Sequence, residues 1–121
     1  MVEYNIKQCA YIGDAVWELY IRELCVQKCK VQKAMHNFGV KYVNATFQAN
    51  LLNQITEFLT DDEREIVRRG RNLKISINKK SNPQIHSLAS AFEVLVGYFY
   101  LNDKKRLADF FEIVKKYLND D

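Results

Sequence analysis

Glu93 is the only charged side chain between Gln84 and Asn102, with Leu88, Ala89, Ser90, Ala91 and Phe92 before it and Val94, Leu95 and Val96 after it. A carboxylate buried there without compensation is expensive, so it needs a cationic partner, a metal ion or a water-filled cleft. A salt bridge or a helix-packing hydrogen bond is the plain structural alternative. Asp14 is the second unusual acid, set in Tyr11-Ile12-Gly13-Asp14-Ala15-Val16, where neither glycine nor aspartate favours a helix interior. Asp14, Glu18 and Arg22 follow at i,i+4 spacing and can line one helical face. A surface ladder accounts well for Glu18 and Arg22, and less well for Asp14. Two such acids on two apolar helices, if they met, would suit a hard divalent cation, which takes oxygen ligands. Periodicity does not say which helices touch.

Charge placement supplies a third feature. Residues 66 to 80 hold Arg68, Arg69, Arg71, Lys74, Lys79 and Lys80 and no acid. Guanidinium groups grip phosphate in a fork geometry, and a track of cations suits a nucleic-acid backbone. An ordinary solvated face, with cations at a helix C-terminus, is the alternative. His36 and His86 have no spacing partner and are read as structural or surface residues, His86 the more interesting because it opens the helix of Glu93. The chain has no recognisable triad, phosphate-binding glycine loop or dinucleotide fingerprint.

Helices must position these groups. Ile6, Cys9, Ala10, Ile12, Val16, Leu19, Tyr20 and Leu24 recur at helical spacing and predict one helix over 6 to 28, with Asn5 as its cap. Gly13, inside that pattern, permits close approach of another backbone or leaves room beside Asp14. A short helix over 31 to 37 is expected to break at Phe38-Gly39, before an amphipathic helix over 41 to 59. Thr60 and Glu63 have the form of a capping box opening a helix that ends near Gly70. A loop over 74 to 84 with the only proline, Pro83, leads to helices over 85 to 101 and 103 to 118. The expected fold class is all-α, with five or six helices.

At 121 residues the chain has room for one domain, which would bury about two-thirds of its extended surface without staples. A formal net charge of +3 excludes binding nucleic acid by bulk basicity alone and leaves a local patch to do it. Cys9, Cys25 and Cys29 lack a completing zinc set and read as reduced thiols, as in a cytoplasmic protein. Asp14 and Glu18 interrupt any signal-peptide core, so a soluble protein is expected.

Two segments together carry a family resemblance. Tyr11-Ile12-Gly13-Asp14-Ala15-Val16 resembles the signature helix of the ribonuclease III catalytic domain, and 91 to 101, from Ala91-Phe92-Glu93-Val94 onward, resembles its second catalytic helix. With Arg68-Arg69-Gly70-Arg71-Asn72 between them, the chain is similar to the bacterial branch called Mini-ribonuclease III. The resemblance implies a homodimeric endonuclease that cleaves double-stranded RNA with Mg²⁺. It implies a role in maturing the large-subunit (23S) ribosomal RNA precursor, with a ribosomal protein as a further partner. It places the catalytic and metal-holding acids on Asp14 and Glu93; the RNA contacts are expected, from charge placement, on Arg68, Arg69, Arg71, Lys74, Lys79 and Lys80. Glu18, Arg22 and Ser90 are expected to support them. Residues 1 to 121 are expected to form one catalytic domain, with no double-stranded-RNA-binding domain. Where longer members carry further acids, this chain has Lys7, Ala10 and Ser90, so fewer protein ligands and more bound water are implied. The rival readings are a non-catalytic RNA-binding or ribosome-assembly module and a helical protein-interaction domain.

Overall fold

The computed structural model describes residues 3–73 and 82–118, and within them every regular element is a helix. Helix α1, Ile6–Lys28, opens on a full capping box: Asn5 accepts from the Gln8 backbone N–H at 2.8 Å, and the Gln8 side chain accepts from the Asn5 N–H at 2.9 Å. Its buried residues are Cys9, Gly13, Trp17, Ile21 and Cys25, a row with one residue per turn. Such an i±4 ridge is the kind that seats in the groove of a neighbouring helix.

Helix α2, Gln32–Tyr42, runs straight through Phe38-Gly39, where the sequence predicts a break. Phe38 and Tyr42, one turn apart, are both buried, and this anchoring outweighs the helix penalty of Gly39. The break comes instead at Asn44. Its carbonyl oxygen caps helix α3, Ala45–Ile55, at the Phe47 N–H, while its Nδ2 donates to the Val40 and Lys41 carbonyls that end α2. The expected single helix over 41 to 59 is therefore the end of α2, all of α3 and a 3-10 turn at Thr56–Phe58.

Helix α4, Asp61–Arg71, starts on the Thr60/Glu63 capping box as predicted. Helix α5, Pro83–Asn102, begins two residues earlier than expected, since Asn82 caps it and Pro83 takes the first position, where no N–H is needed. Helix α6, Lys104–Lys115, is capped by Asp103 and ends three residues short of the expected 118. The predicted loop over 74 to 84 falls mostly outside the described residues, and Lys74, Lys79 and Lys80 lie there.

Helix α5 is buried on nearly all sides and is the axis of the fold, with α1, α3, α4 and α6 packed around it. Trp17 meets Phe92 edge-on at 4.9 Å between ring centres and donates its indole N–H to the Tyr42 carbonyl at 3.0 Å, which fastens α2 to the core. Away from the α1–α5 contact, Arg106 of α6 grips Glu63 of α4 through two 2.8 Å hydrogen bonds and also reaches the Phe58 carbonyl. All three cysteines are free, with Cys9 and Cys25 buried. Among the described residues no helix is long and apolar enough to cross a membrane.

Candidate active site

The contact between α1 and α5 is made by backbone. A methyl group on Gly13 would sit 1.7 Å from the Glu93 carbonyl oxygen, and one on Gly97 would sit 1.8 Å from the Cys9 carbonyl oxygen. Gly13 and Gly97 are thus reciprocal, each giving up its side chain so that the other helix can lie against it. The expectation that Gly13 admits a second backbone holds, and Gly97 is its counterpart, which helical spacing alone did not single out. Only the absence of Cβ atoms allows this approach.

The crossing decides where the acids go. Asp14 follows Gly13 and Glu93 supplies the carbonyl that Gly13 touches, so the two carboxyl groups are drawn together from opposite helices. Glu93 is half-buried and hydrogen-bonded to Asp14, which is exposed. Burial, then the hydrogen bond to Asp14, then the charge of Asp14 push the Glu93 carboxyl from its ordinary 4.5 up to about 8. All three causes act in one direction, and no arginine or lysine is among them. Among the described residues, then, the salt-bridge alternative finds no partner for Glu93. What remains is a Glu93 carboxyl that faces a second acid and, among the described residues, no counter-ion.

Ser90, one turn before Glu93, is buried at 6% exposure. Glu18 and Arg22 pair with each other at 3.7 Å on an exposed stretch of α1 and line the groove between α1 and α2. His36 also lines that groove, while His86 sits half-buried in the first turn of α5.

The arginines separate. Arg68 is bound through Nε and Nη2 to both oxygens of Glu65, at 2.9 and 2.6 Å. Arg69 lies close enough to Cys9 of α1 to oppose the upward push of burial on that thiol. Arg71 is exposed, and its carbonyl accepts from the Ser87 hydroxyl at 2.8 Å, which ties the end of α4 to the start of α5. Sequence reasoning missed Glu65 as the partner of Arg68, although its i,i+3 spacing was there to see.

Two oxygen-donor groups meeting without a cation form a donor set that fits a hard divalent ion. Among the described residues no cluster of three or more His, Cys, Asp or Glu side chains accompanies them. An ion held here would keep much of its water.

Residues 7–104 match the Ribonuclease III domain family. A protein of Synechocystis sp. named Mini-ribonuclease 3 is 40% identical over 106 residues, covering 88% of this chain and 74% of that protein. A Mini-ribonuclease 3 of Thermoanaerobacter sp. is 41% identical over 107 residues, covering 86% of this chain and 75% of the relative. The crystal structure of a Fusobacterium nucleatum protein superposes with a TM-score of 0.83 at 25% identity, over 95% of this chain and 92% of the other.

Proposed function

The chain belongs to the ribonuclease III family, among the Mini-ribonuclease 3 proteins, and as an endoribonuclease acting on double-stranded RNA we propose that it works through Asp14 and Glu93. The observation that carries this reading is the hydrogen-bonded carboxyl pair at the Gly13 crossing, with no cationic side chain among the described residues to neutralise it. Asp14 and Glu93 would hold Mg²⁺, whose chemistry at a phosphodiester is Lewis-acid polarisation and activation of water. The residues supply position and charge. Asp14 is exposed to an incoming backbone, Glu93 stands behind it, and the buried Ser90 is a hydroxyl one turn away. Arg69 and Arg71 of α4, with Lys74, Lys79 and Lys80, form the RNA track, and Arg68 stands beside it paired to Glu65. Duplex RNA presents its shallow minor groove and 2′-hydroxyls, so selection rests on shape. Glu18 and Arg22 would contribute at most through the stiffness of α1.

The assembly we propose is a homodimer. Tyr11 is 83% exposed one turn from Asp14, and with Tyr4, Ile12 and Leu101 it borders a shallow apolar hollow that a second copy would cover. Two copies related by a two-fold axis present one site to each strand of a duplex. The substrate we assign is the large-subunit (23S) ribosomal RNA precursor, in the cytoplasm, with a ribosomal protein on the RNA as a further partner. The test is incubation of duplex RNA with and without Mg²⁺, followed by end mapping. Cleavage that needs the cation and leaves 5′-phosphate and 3′-hydroxyl ends is expected. Binding without cleavage under both conditions would favour the non-catalytic module instead.

A further inference from the structure

The three arginines at the end of α4 are equivalent in sequence and unequal in space. Arg68 has the Nε–Nη2 edge of its fork on Glu65, one bond to each carboxylate oxygen, in an exposed pair that is 2.6 Å at its shorter contact. For Arg69, no hydrogen bond or ion pair with another described residue is present, and its side chain is exposed. Glu65 lies within its field, but the hydrogen bonds of Glu65 go to Arg68.

The place of Arg69 is set by its neighbour. Gly70 packs against α5 so tightly that a methyl group there would sit 2.8 Å from the Ala91 Cα and 3.1 Å from the Val94 Cβ. Gly13 and Cys9 meet α5 at Glu93 and Gly97. Successive helical residues are about 100° apart, so the Ala91/Val94 and Glu93/Gly97 faces are roughly a third of a turn from one another. Helices α4 and α1 therefore flank one edge of α5 at the level of Glu93. Arg69 sits at the rim of that angle, near Cys9, one turn before Gly13 on α1. Among the described residues the charge that acts on Glu93 is that of Asp14, not that of Arg69.

We infer that Arg69 holds a backbone phosphate next to the one being cleaved, and that Glu65 withholds Arg68 from the RNA. This rests on the nuclease reading and sharpens it: of two adjacent arginines, one is an RNA ligand and the other is masked. A cation at the rim of the site, not paired with its carboxylates, fixes the register of the strand without cancelling the charge that binds the metal.

The measurement is binding of a fluorescent RNA duplex to the full chain in chelator, with KCl varied between about 50 and 200 mM. Arg69→Ala should reduce the slope of log affinity against log salt by about 0.7 to 0.9 per chain, the value of one phosphate contact. Arg69→Lys should restore most of that slope. Arg68→Ala should change it by less than about a third as much, and Glu65→Gln should steepen it by freeing Arg68. Melting curves of the four variants control for folding, and all three positions are exposed. Equal effects of Arg68→Ala and Arg69→Ala, or no effect of Glu65→Gln, would overturn the inference while wild-type cleavage keeps the nuclease reading intact. A wild-type chain that neither cuts nor binds duplex RNA in Mg²⁺ would bring down both.

Discussion

Glu63 and Glu93 are both acids drawn at least partly out of water, and their surroundings are opposite. At Glu63, burial pushes the carboxyl up, but the Arg106 guanidinium, the Thr60 N–H and the Thr60 hydroxyl together outweigh it and hold the group below its ordinary value. At Glu93, burial acts in the same direction and the neighbour is a second acid, so the group rises to about 8. Glu63 is satisfied within its own chain and serves architecture, joining α4, α6 and the Thr56–Phe58 turn. Glu93 is left wanting positive charge that the described residues do not provide. A buried carboxylate is thus informative about function only once its neighbours are known.

The sharpest way to break this contrast is to neutralise each acid in turn. Glu93→Gln should lower duplex cleavage by about 10³-fold, roughly 4 kcal/mol of transition-state stabilisation, while duplex binding survives. Unchanged cleavage rates would remove Glu93 from the chemistry. Gly13→Ala attacks the same region through its frame: the added methyl meets the Glu93 carbonyl, and chemical denaturation should show a loss of about 3 kcal/mol together with lost cleavage. At the other acid, Glu63→Gln leaves Arg106 without its partner and should cost about 2 to 3 kcal/mol in stability. Cleavage per folded molecule, measured well below the melting temperature, should be preserved. Loss of activity there would mean that the two regions are coupled.

Acidity sharpens the contrast further. The folded chain keeps the Glu93 proton up to about pH 8, whereas the unfolded chain releases it near 4.5. The contribution of Glu93 is therefore full below 4.5 and declines as pH rises toward 8. Glu63, with its value lowered, contributes above the ordinary 4.5 and loses that contribution as pH falls below it. Without divalent ions the melting temperature should fall as pH rises from about 4.5 to about 8; Mg²⁺ should reverse the fall, and Glu93→Gln should flatten it. A pH-independent melting temperature across that window would contradict the assignment. The smallest effect belongs to the exposed Glu18–Arg22 pair: removing either side chain should shift stability by about 0.3 kcal/mol, within reach of a double-mutant cycle.

What could be read from the chain in advance followed the range of the interaction. The Thr60/Glu63 capping box and the Asn5 cap are decided within four residues, and both stand as expected. The oddness of Asp14 and Glu93 was visible from their neighbours in the sequence. Their meeting was not, because it depends on two glycines from distant segments finding one another, and the family resemblance supplied what periodicity lacked. Helix α2 misled for the converse reason. Gly39 has a local penalty that anyone can read, while the burial of Phe38 and Tyr42 that overrides it belongs to the tertiary structure. Arg68 and Arg69 look alike on the page, and only the position of Glu65 separates them.

The Gly13–Gly97 contact has a last consequence. Where side chains line a helix pair, a change at the centre can be absorbed by letting the interface slip or repack. Here main chain rests on main chain, so the two backbones keep a fixed gauge and any adjustment to ionic radius has to come from rotation about the carboxylate side-chain bonds. Glu93→Asp, one methylene shorter on an unyielding frame, should therefore tell a small ion from a large one more harshly than the native pair does.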